Sequence, residues 1–589
     1  MEVSMEPKRF NLSEDWLSLW LGLFIFVLSL GVFGQPQVDL LGWGANTTVW
    51  KELSKSVAPV SKQYASVKGV ITRIDGNTLT LRRPDGREDT VVVKQGQPGL
   101  KVGDNYERRG LSGMTSILCT YVFLMLIMGM GAKLLGADLK RFAAGFTFIF
   151  FVSYGCSLLG HYAHIAATKN QLKQFDISWA MSLTGEAGLI IALIAGLVIG
   201  NLFPRLSAAL KTAARPELYI KTAIVIMGAM LGVKAADSLS LATNVMFLGL
   251  CAIVAAYLLY WAVVYFVARR FFKFSKEWSA PLASGISVCG VSAAIATGAA
   301  IRARPIVPVM VSSLVVIFAV VEMVFLPFLA QTMLWKEPLV AGAWMGLVVK
   351  TDGGAVASGA IADALIRARA LEMQGIRYQD GWMTMTATTV KMFIDIFIGI
   401  WAFLLAVIWC TRIERNEEQK VRATEIWRRF PKFVIGYALT FVLMLWICWP
   451  AVSAIGSADK QIKQLNSQIS SMEKQYASAA DPAIRTGIAN NIKDIRESVT
   501  SLRQAMKIPQ DTMAKARTST QESNVFRVMF FMLTFFAIGL VSNFSKLREE
   551  GIGKLAAVYV ICLFGFIIWV GLAISWVFFH GVKPPIVAG

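Results

Sequence analysis

Residues 281–304 read PLASGISVCGVSAAIATGAAIRAR, and residues 342–369 read GAWMGLVVKTDGGAVASGAIADALIRAR. Both are long enough to enter a bilayer. Both are built from Gly, Ala, Ser and Thr where a spanning helix carries Leu and Phe. Both end in one tetrapeptide, Ile301-Arg302-Ala303-Arg304 and Ile366-Arg367-Ala368-Arg369. Glycine-interrupted polar segments, placed twice in an apolar chain, point to the broken helices of a transport site.

The surrounding chain has the composition of a membrane protein. Of 589 residues, 55% are hydrophobic and 16% charged. Apolar runs recur almost to the C-terminus and reach the roughly 20 residues that cross a hydrocarbon core of ~30 Å. The fold class is therefore all-α and polytopic. In a soluble chain the net charge of +20 would suggest nucleic acid. Here Lys and Arg gather in loops beside the runs, where they set orientation, and no nucleic-acid partner is expected. There is no P-loop, HExxH or CxxC pattern, so no cofactor is expected, and no nucleophile–base arrangement marks an enzyme. The seven cysteines lie within or beside apolar runs, which argues against a disulfide framework. His161 and His164 are spaced i, i+3 without a third ligand, so no metal site is expected.

Thirteen spans are expected. The first, near 16–33, is a retained anchor behind Lys8 and Arg9. The others lie near 112–133, 142–160, 184–203, 218–236, 243–268, 281–303, 306–330, 340–362, 384–410, 432–452, 525–543 and 554–579. This order puts the N-terminus and the basic loops 205–221, 269–276 and 412–432 in the cytoplasm of a bacterial cell, across its inner membrane. It divides the chain into an anchor (1–34), an outer region (35–110), additional helices (111–180), a core in two parts (181–454 and 525–589) and an outer insertion (455–524). If both polar segments cross fully, both IRAR tetrapeptides fall outside, against the positive-inside rule. Either the segments re-enter, or the arginines attract anions at an outer mouth.

The two insertions are not membrane-like. Within 67–107, alternating apolar residues with turns at Asp75-Gly76 and Asp85-Gly86 predict a small β-domain of OB-like type. In 455–524, Ile462, Leu465, Ile469, Met472 and Tyr476 recur at three and four spacing. After Asp481-Pro482, Ile484, Ile488, Ile492, Ile495, Val499, Leu502 and Met506 do the same. This predicts an antiparallel helical hairpin with a coiled-coil seam, ended by Pro509. Such modules can pack together or hold a homodimer.

Ionisable residues inside a membrane default to functional hypotheses. Lys350 and Asp352 lie in the second segment. Lys391 and Asp395 share a helix face in the span that follows; Glu322 and Lys221 are further candidates. The plainer readings are that Lys391 and Asp395 form a structural ion pair, that Lys221 snorkels to the interface, and that the glycines serve close packing. Against packing alone stands the company of Lys and Asp. Half-helix N-termini offer backbone N–H groups to an oxyanion. The substrate-binding candidates are Ser287, Cys289, Gly290, Ser292, Lys350, Thr351, Asp352, Gly353 and Lys391. Asp352 and Asp395 are the candidates for a coupling Na⁺ or H⁺.

Four passages carry a resemblance: YIKTAIVIMGAMLGVKAAD at 219–237, SGISVCGVSAAIATGAA at 284–300, residues 342–359 followed by Val390-Lys391-Met392, and residues 533–551. From about residue 183 onward, omitting the hairpin, the chain resembles the YeiH-like sulfate exporter family of bacterial inner-membrane proteins. The resemblance implies a transporter core of inverted repeats, distantly like bile-acid symporters and cation/proton antiporters. Its discontinuous helices would meet near the bilayer midplane. This chain departs from the family's His-Glu pair in the second segment, where it carries Thr351-Asp352-Gly353-Gly354. The expected function is secondary transport of a small, sulfate-like anion. The alternatives are a cation/proton antiporter on the same fold and a membrane sensor or scaffold whose core does not transport.

Overall fold

A computed structural model describes residues 13–34, 39–75, 78–82, 88–92, 100–167, 171–181, 183, 185, 187–301, 303–304, 306–408, 431–478, 482–542 and 553–587. Among them, nine helices are long and apolar enough to cross a membrane, ten if one bent pair counts as a single span.

The first helix, α1 (Glu14–Ser29), is opened by Ser13, whose hydroxyl accepts the Trp16 N–H. Two short strands follow, β1 (Ala45–Thr47) and β2 (Val57–Pro59). The next four are β3 (Val67–Asp75), β4 (Thr78–Arg82), β5 (Glu88–Val92) and β6 (Asn105–Arg108). They form an antiparallel sheet in the order β5-β4-β3-β6 over a small core of Val67, Ile71, Leu79, Leu81 and Tyr106. A four-stranded antiparallel sheet thus occupies the region read as a β-domain. Gly76 and the Asp85-Gly86 turn lie outside the described residues.

Helices make up the rest: α2 (Gly113–Leu134), α3 (Leu139–Gly160), the short α4 (Ala163–Ala166) and α5 (Leu172–Phe175), and α6 (Ala187–Leu202), which bends by 116° into α7 (Pro204–Leu210). Then come α8 (Pro216–Asp237), α9 (Leu239–Arg270), α10 (Lys276–Ser287), α11 (Val291–Ala300), α12 (Ile306–Met333), α13 (Pro338–Val348), α14 (Asp352–Gln374) and α15 (Trp382–Ile408). The last are α16 (Lys432–Ser478), α17 (Pro482–Ala505), α18 (Lys507–Val541), α19 (Gly553–Cys562) and α20 (Ile568–Phe579). Helix α8 is buried along nearly its whole length and packs against α1, α16 and α18. Its Lys221 pairs with Asp15 at 2.8 Å and Glu217 at 3.3 Å, so this lysine ties α1 to α8.

The two polar segments do not cross the bundle as single spans. In the first, Arg304 donates its backbone N–H to Glu277 at 2.7 Å, and Thr297 donates to Ser284 at 2.8 Å. Ala280 packs with Ile301. These contacts join residues symmetrically placed about the break at 288–290, so α10 and α11 form an antiparallel hairpin whose ends meet. Gly290, at φ +67, makes the tip. A Cβ there would collide with Val315 and with the Lys350 carbonyl, and the backbone conformation itself disfavours a side chain.

The second segment doubles back as well. Glu337, just before α13, accepts the Gly581 N–H, while the Val587 N–H reaches the Arg377 carbonyl just after α14. The start of α13 and the end of α14 therefore meet one short stretch of chain, 581–587. Asp363 on α14 accepts the N–H groups of Gly381 and Met383 at the head of α15. Helix α12, whose 28 residues rise about 42 Å, separates the two hairpins' open ends. The hairpins enter from opposite ends of the bundle and their tips touch where Gly290 meets Lys350.

This removes half of the conflict over the IRAR tetrapeptides. Arg304 lies at the same end as the basic 269–276 loop, and Arg367 and Arg369 belong to the other end. The position of the Arg302 side chain lies outside the described residues.

The expected helical hairpin of the second insertion is formed by α16 and α17, with Ile492, Val499 and Met506 buried on its seam. Arg496 meets Glu473 across it at 3.0 Å. The bundle continues from both arms: α16 is one helix of 47 residues, and α17 is followed by α18, a helix of 35. Pro509 does not end a helix. It sits in the first turn of α18, where a proline's missing N–H costs nothing, and the break falls at Met506.

Two predictions follow from the doubled-back first segment. In a chain whose native cysteines are replaced, Glu277→Cys with Arg304→Cys should cross-link readily with a short bis-thiol reagent. A single crossing would hold these positions roughly 30 Å apart and give no product. Gly290→Ala should lower thermal stability in detergent by more than about 1 kcal/mol. Gly456→Ala, in α16 with nothing within 4 Å of the added carbon, should be neutral or slightly stabilising.

Candidate functional site

Both breaks leave backbone groups without helical partners. Helix α10 ends at Ser287 and α13 at Val348, so the carbonyls beyond them, on Val288 and Val349, face the gap. Helix α14 begins at Asp352, capped by Thr351, whose hydroxyl accepts the Gly354 N–H at 3.1 Å. The acceptors collect at the ends of α10 and α13, and the donors at the start of α14.

Lys391, on α15, is fully buried and answers both sets of acceptors. Its Nζ donates to the Val288 carbonyl at 3.4 Å and to the Val349 carbonyl at 3.3 Å. The same Nζ lies 3.8 Å from Asp352 Oδ1. One ammonium thus binds the unwound backbone of both hairpins and the first carboxylate of α14. Its ionic partner is Asp352, not Asp395 as the i, i+4 spacing suggests.

Asp395 stands one turn further along α15, fully buried. Among the described residues no N–H or hydroxyl reaches either of its carboxylate oxygens or Asp352 Oδ1, and the two carboxyl groups lie within hydrogen-bonding reach of each other. The Cys289 Sγ and one oxygen each of Asp352 and Asp395 lie within 4.8 Å of one another. The Ser287 hydroxyl at the end of α10 is also buried without a hydrogen-bond partner. The centre is a close group of acceptors and one ammonium, sealed from solvent.

Of the residues singled out in the sequence, Ser287, Cys289, Gly290, Thr351, Asp352, Lys391 and Asp395 lie at or beside this junction. Gly353 lies just inside α14 against Ile220 of α8. The Ser292 side chain falls outside the described residues. Lys350 is adjacent in sequence but its ammonium is turned elsewhere: it donates to the Leu347 carbonyl at 2.8 Å and lies 4.9 Å from the centre of the Tyr260 ring. The Lys350 N–H donates to Glu322 Oε2 at 3.0 Å, and the Tyr559 hydroxyl lies beside that carboxylate. His161 and His164 bond separate carbonyls, those of Ser157 and Trp179.

Sequence reading missed the Val288 and Val349 carbonyls, because backbone groups carry no residue signature. It also missed Asp363, which holds Arg367 at 2.8 Å and caps α15.

Removing the ammonium should leave two carbonyls and a buried carboxylate without a counter-charge. We expect Lys391→Ala to cost ~3–5 kcal/mol, read as loss of the monodisperse species on heating in detergent. Lys391→Ala with Asp352→Ala should recover part of that loss. A single variant as stable as the parent would show that the contacts hold nothing.

Comparison with known proteins gives the family. Residues 162–472 match the family described as conserved hypothetical protein 698. A UPF0324 membrane protein of Nitrosomonas europaea is 34% identical over 98% of this chain and 97% of its own length, so it spans the N-terminal region and the helical hairpin too. An uncharacterized protein of Archaeoglobus fulgidus is 44% identical over 34% of this chain and 88% of its own. A UPF0324 membrane protein of Nitratidesulfovibrio vulgaris is 27% identical over 80% of this chain and 66% of its own. No solved structure matches. The chain belongs to this family of YeiH-like, UPF0324 multi-pass membrane proteins.

Proposed function

We propose that the chain is a secondary transporter carrying a small, sulfate-like anion across the bacterial inner membrane, with its site where the two hairpin tips meet. The observation that carries this reading is the single Lys391 ammonium shared by both breaks. Hairpins that enter from opposite ends are the arrangement an inverted repeat produces, with the site near the midplane. The N-termini of α11 and α14 supply backbone donors for an oxyanion. Asp352 and Asp395 carry the coupling ion. Two carboxylates this close cannot both hold a full charge at low cost, so they bind one proton or a Na⁺ between them. Exchange of that ion alters the charge facing Lys391, and with it the hold of Lys391 on the two break carbonyls.

In the orientation set by the basic loops, the N-terminus is cytoplasmic, and the OB-like β-domain and the coiled-coil hairpin stand outside. These outer modules are suited to holding a homodimer. One observation favours a second reading, a cation/proton antiporter: the cluster of Cys289, Asp352 and Asp395 is rich in acceptors.

Flux in proteoliposomes separates the two. Labelled sulfate should accumulate under a proton or Na⁺ gradient. Asp395→Asn should reduce gradient-driven uptake at least tenfold while one-for-one anion exchange persists. If sulfate and other small anions neither move nor compete, and Na⁺ alone drives a pH change, the antiporter reading replaces the anion one.

A further inference from the structure

A cavity of about 770 Å³ opens at the end of the bundle where the α13–α14 hairpin has its open end. Its walls come from β1, α3, α14, α18, the 377–380 loop and Val587. Three of its lining residues are arginines, Arg367, Arg377 and Arg527, and one, Asp380, is acidic. Asp380 is already committed. Burial pushes its carboxyl up, but Lys234, 2.8 Å away, outweighs this and holds it below the usual carboxylate range. Arg367 is likewise paired, with Asp363 at 2.8 Å, so the cavity's excess positive charge is carried by Arg377 and Arg527. Leu371, Met529 and Met532 give it an apolar side.

Size narrows the ligand. Each water occupies about 30 Å³ of the liquid, and a bare tetrahedral oxyanion, with five heavy atoms, is only a few waters in volume. The cavity lies instead within the roughly 300–1,000 Å³ that receive drug-sized organic molecules. Its position connects it with the junction. The residues α14 contributes are Ala364, Arg367, Ala368 and Leu371. At about 100° per residue, that face continues through Ala360 and Ala357 to Gly353, the second residue of α14. Gly353 is closed against Ile220 of α8. The cavity is thus the open end of the seam between the hairpin and its scaffold, and the seam is shut about 16 Å further in.

We propose that this cavity is a binding station for an organic anion, a sulfonate or carboxylate with an apolar body, and that within the sulfate-like class such anions are carried in preference to bare sulfate. The arginines take the acidic group and the methionine-lined side takes the body. The inference rests on the transport reading for its second half only. Occupancy of the cavity stands by itself.

The test is equilibrium binding to the full chain in nanodiscs by calorimetry. The probes are benzenesulfonate, inorganic sulfate and neutral benzenesulfonamide. Benzenesulfonate should bind at least tenfold more tightly than either of the others. Arg377→Gln with Arg527→Gln should weaken it at least tenfold. Ala368→Trp, which fills the cavity and leaves the arginines in place, should abolish it and keeps the test valid if the double variant does not fold. The proposal is overturned if sulfate or the sulfonamide matches benzenesulfonate, or if Ala368→Trp binds like the parent. Binding without any flux in proteoliposomes would sink the transport reading and leave the station. Sulfate flux without sulfonate binding would do the reverse.

Discussion

An ammonium sealed from water is tolerated only where its charge and its donors are met, since removing one partner of a buried pair costs several kcal/mol. Lys391 meets that demand with the Val288 and Val349 carbonyls and the Asp352 carboxylate. The demand runs the other way too. Backbone carbonyls exposed by a broken helix in a membrane have no water to turn to. Each break is stabilised by the lysine that the breaks together keep buried. The hairpins are therefore not two independent defects in the bundle. They are two halves of one arrangement, and α15 is placed to serve both.

That mutual dependence explains the division of the molecule. Helices α1, α8, α16 and α18 pack closely and are tied by ion pairs such as Lys221 with Asp15, while Glu522 of α18 is buried with no hydrogen-bond donor among the described residues on either carboxylate oxygen. The hairpins and α15 hold Asp352 and Asp395, whose carboxylates lie close together beside Lys391. Small residues let the hairpin helices approach their neighbours: Gly342 and Gly346 lie against the backbone of α15, and Gly359 against Ala387. Such contacts bring the helix backbones close while burying little side-chain volume.

Much of this was legible in the sequence because composition reports it directly. Gly, Ser and Thr in place of Leu marked both broken segments, and Lys and Asp within apolar runs marked the junction. Charge in a membrane has few innocent uses, so Asp352, Lys391 and Asp395 stood out without any structure. The doubling back was not legible. A re-entrant hairpin and a single crossing have the same length and composition, and the Glu277–Arg304 contact that separates them joins residues 27 apart. Spacing also misdirected the pairing of Lys391. Positions i and i+4 share a helix face, but a half-helix N-terminus brought Asp352 to the ammonium from another element. The cavity was illegible for a further reason. Its arginines lie on α14, in a loop and on α18, and nothing in the chain order brings them together.

The two IRAR tetrapeptides show how topology changes the meaning of identical residues. With the basic loops inside, Arg304 also lies inside, beside Glu277, and obeys the usual charge bias. Arg367 and Arg369 then lie outside, where that bias gives no reason for arginine. Local structure supplies one. Arg367 binds Asp363, the same carboxylate that caps α15, and so joins the end of the hairpin to the helix carrying Lys391. It also faces the cavity. A ligand that drew on its charge would act on Asp363, and through it on the head of α15. Arg367 is thereby connected, through two contacts and one helix, to the ammonium that holds both breaks.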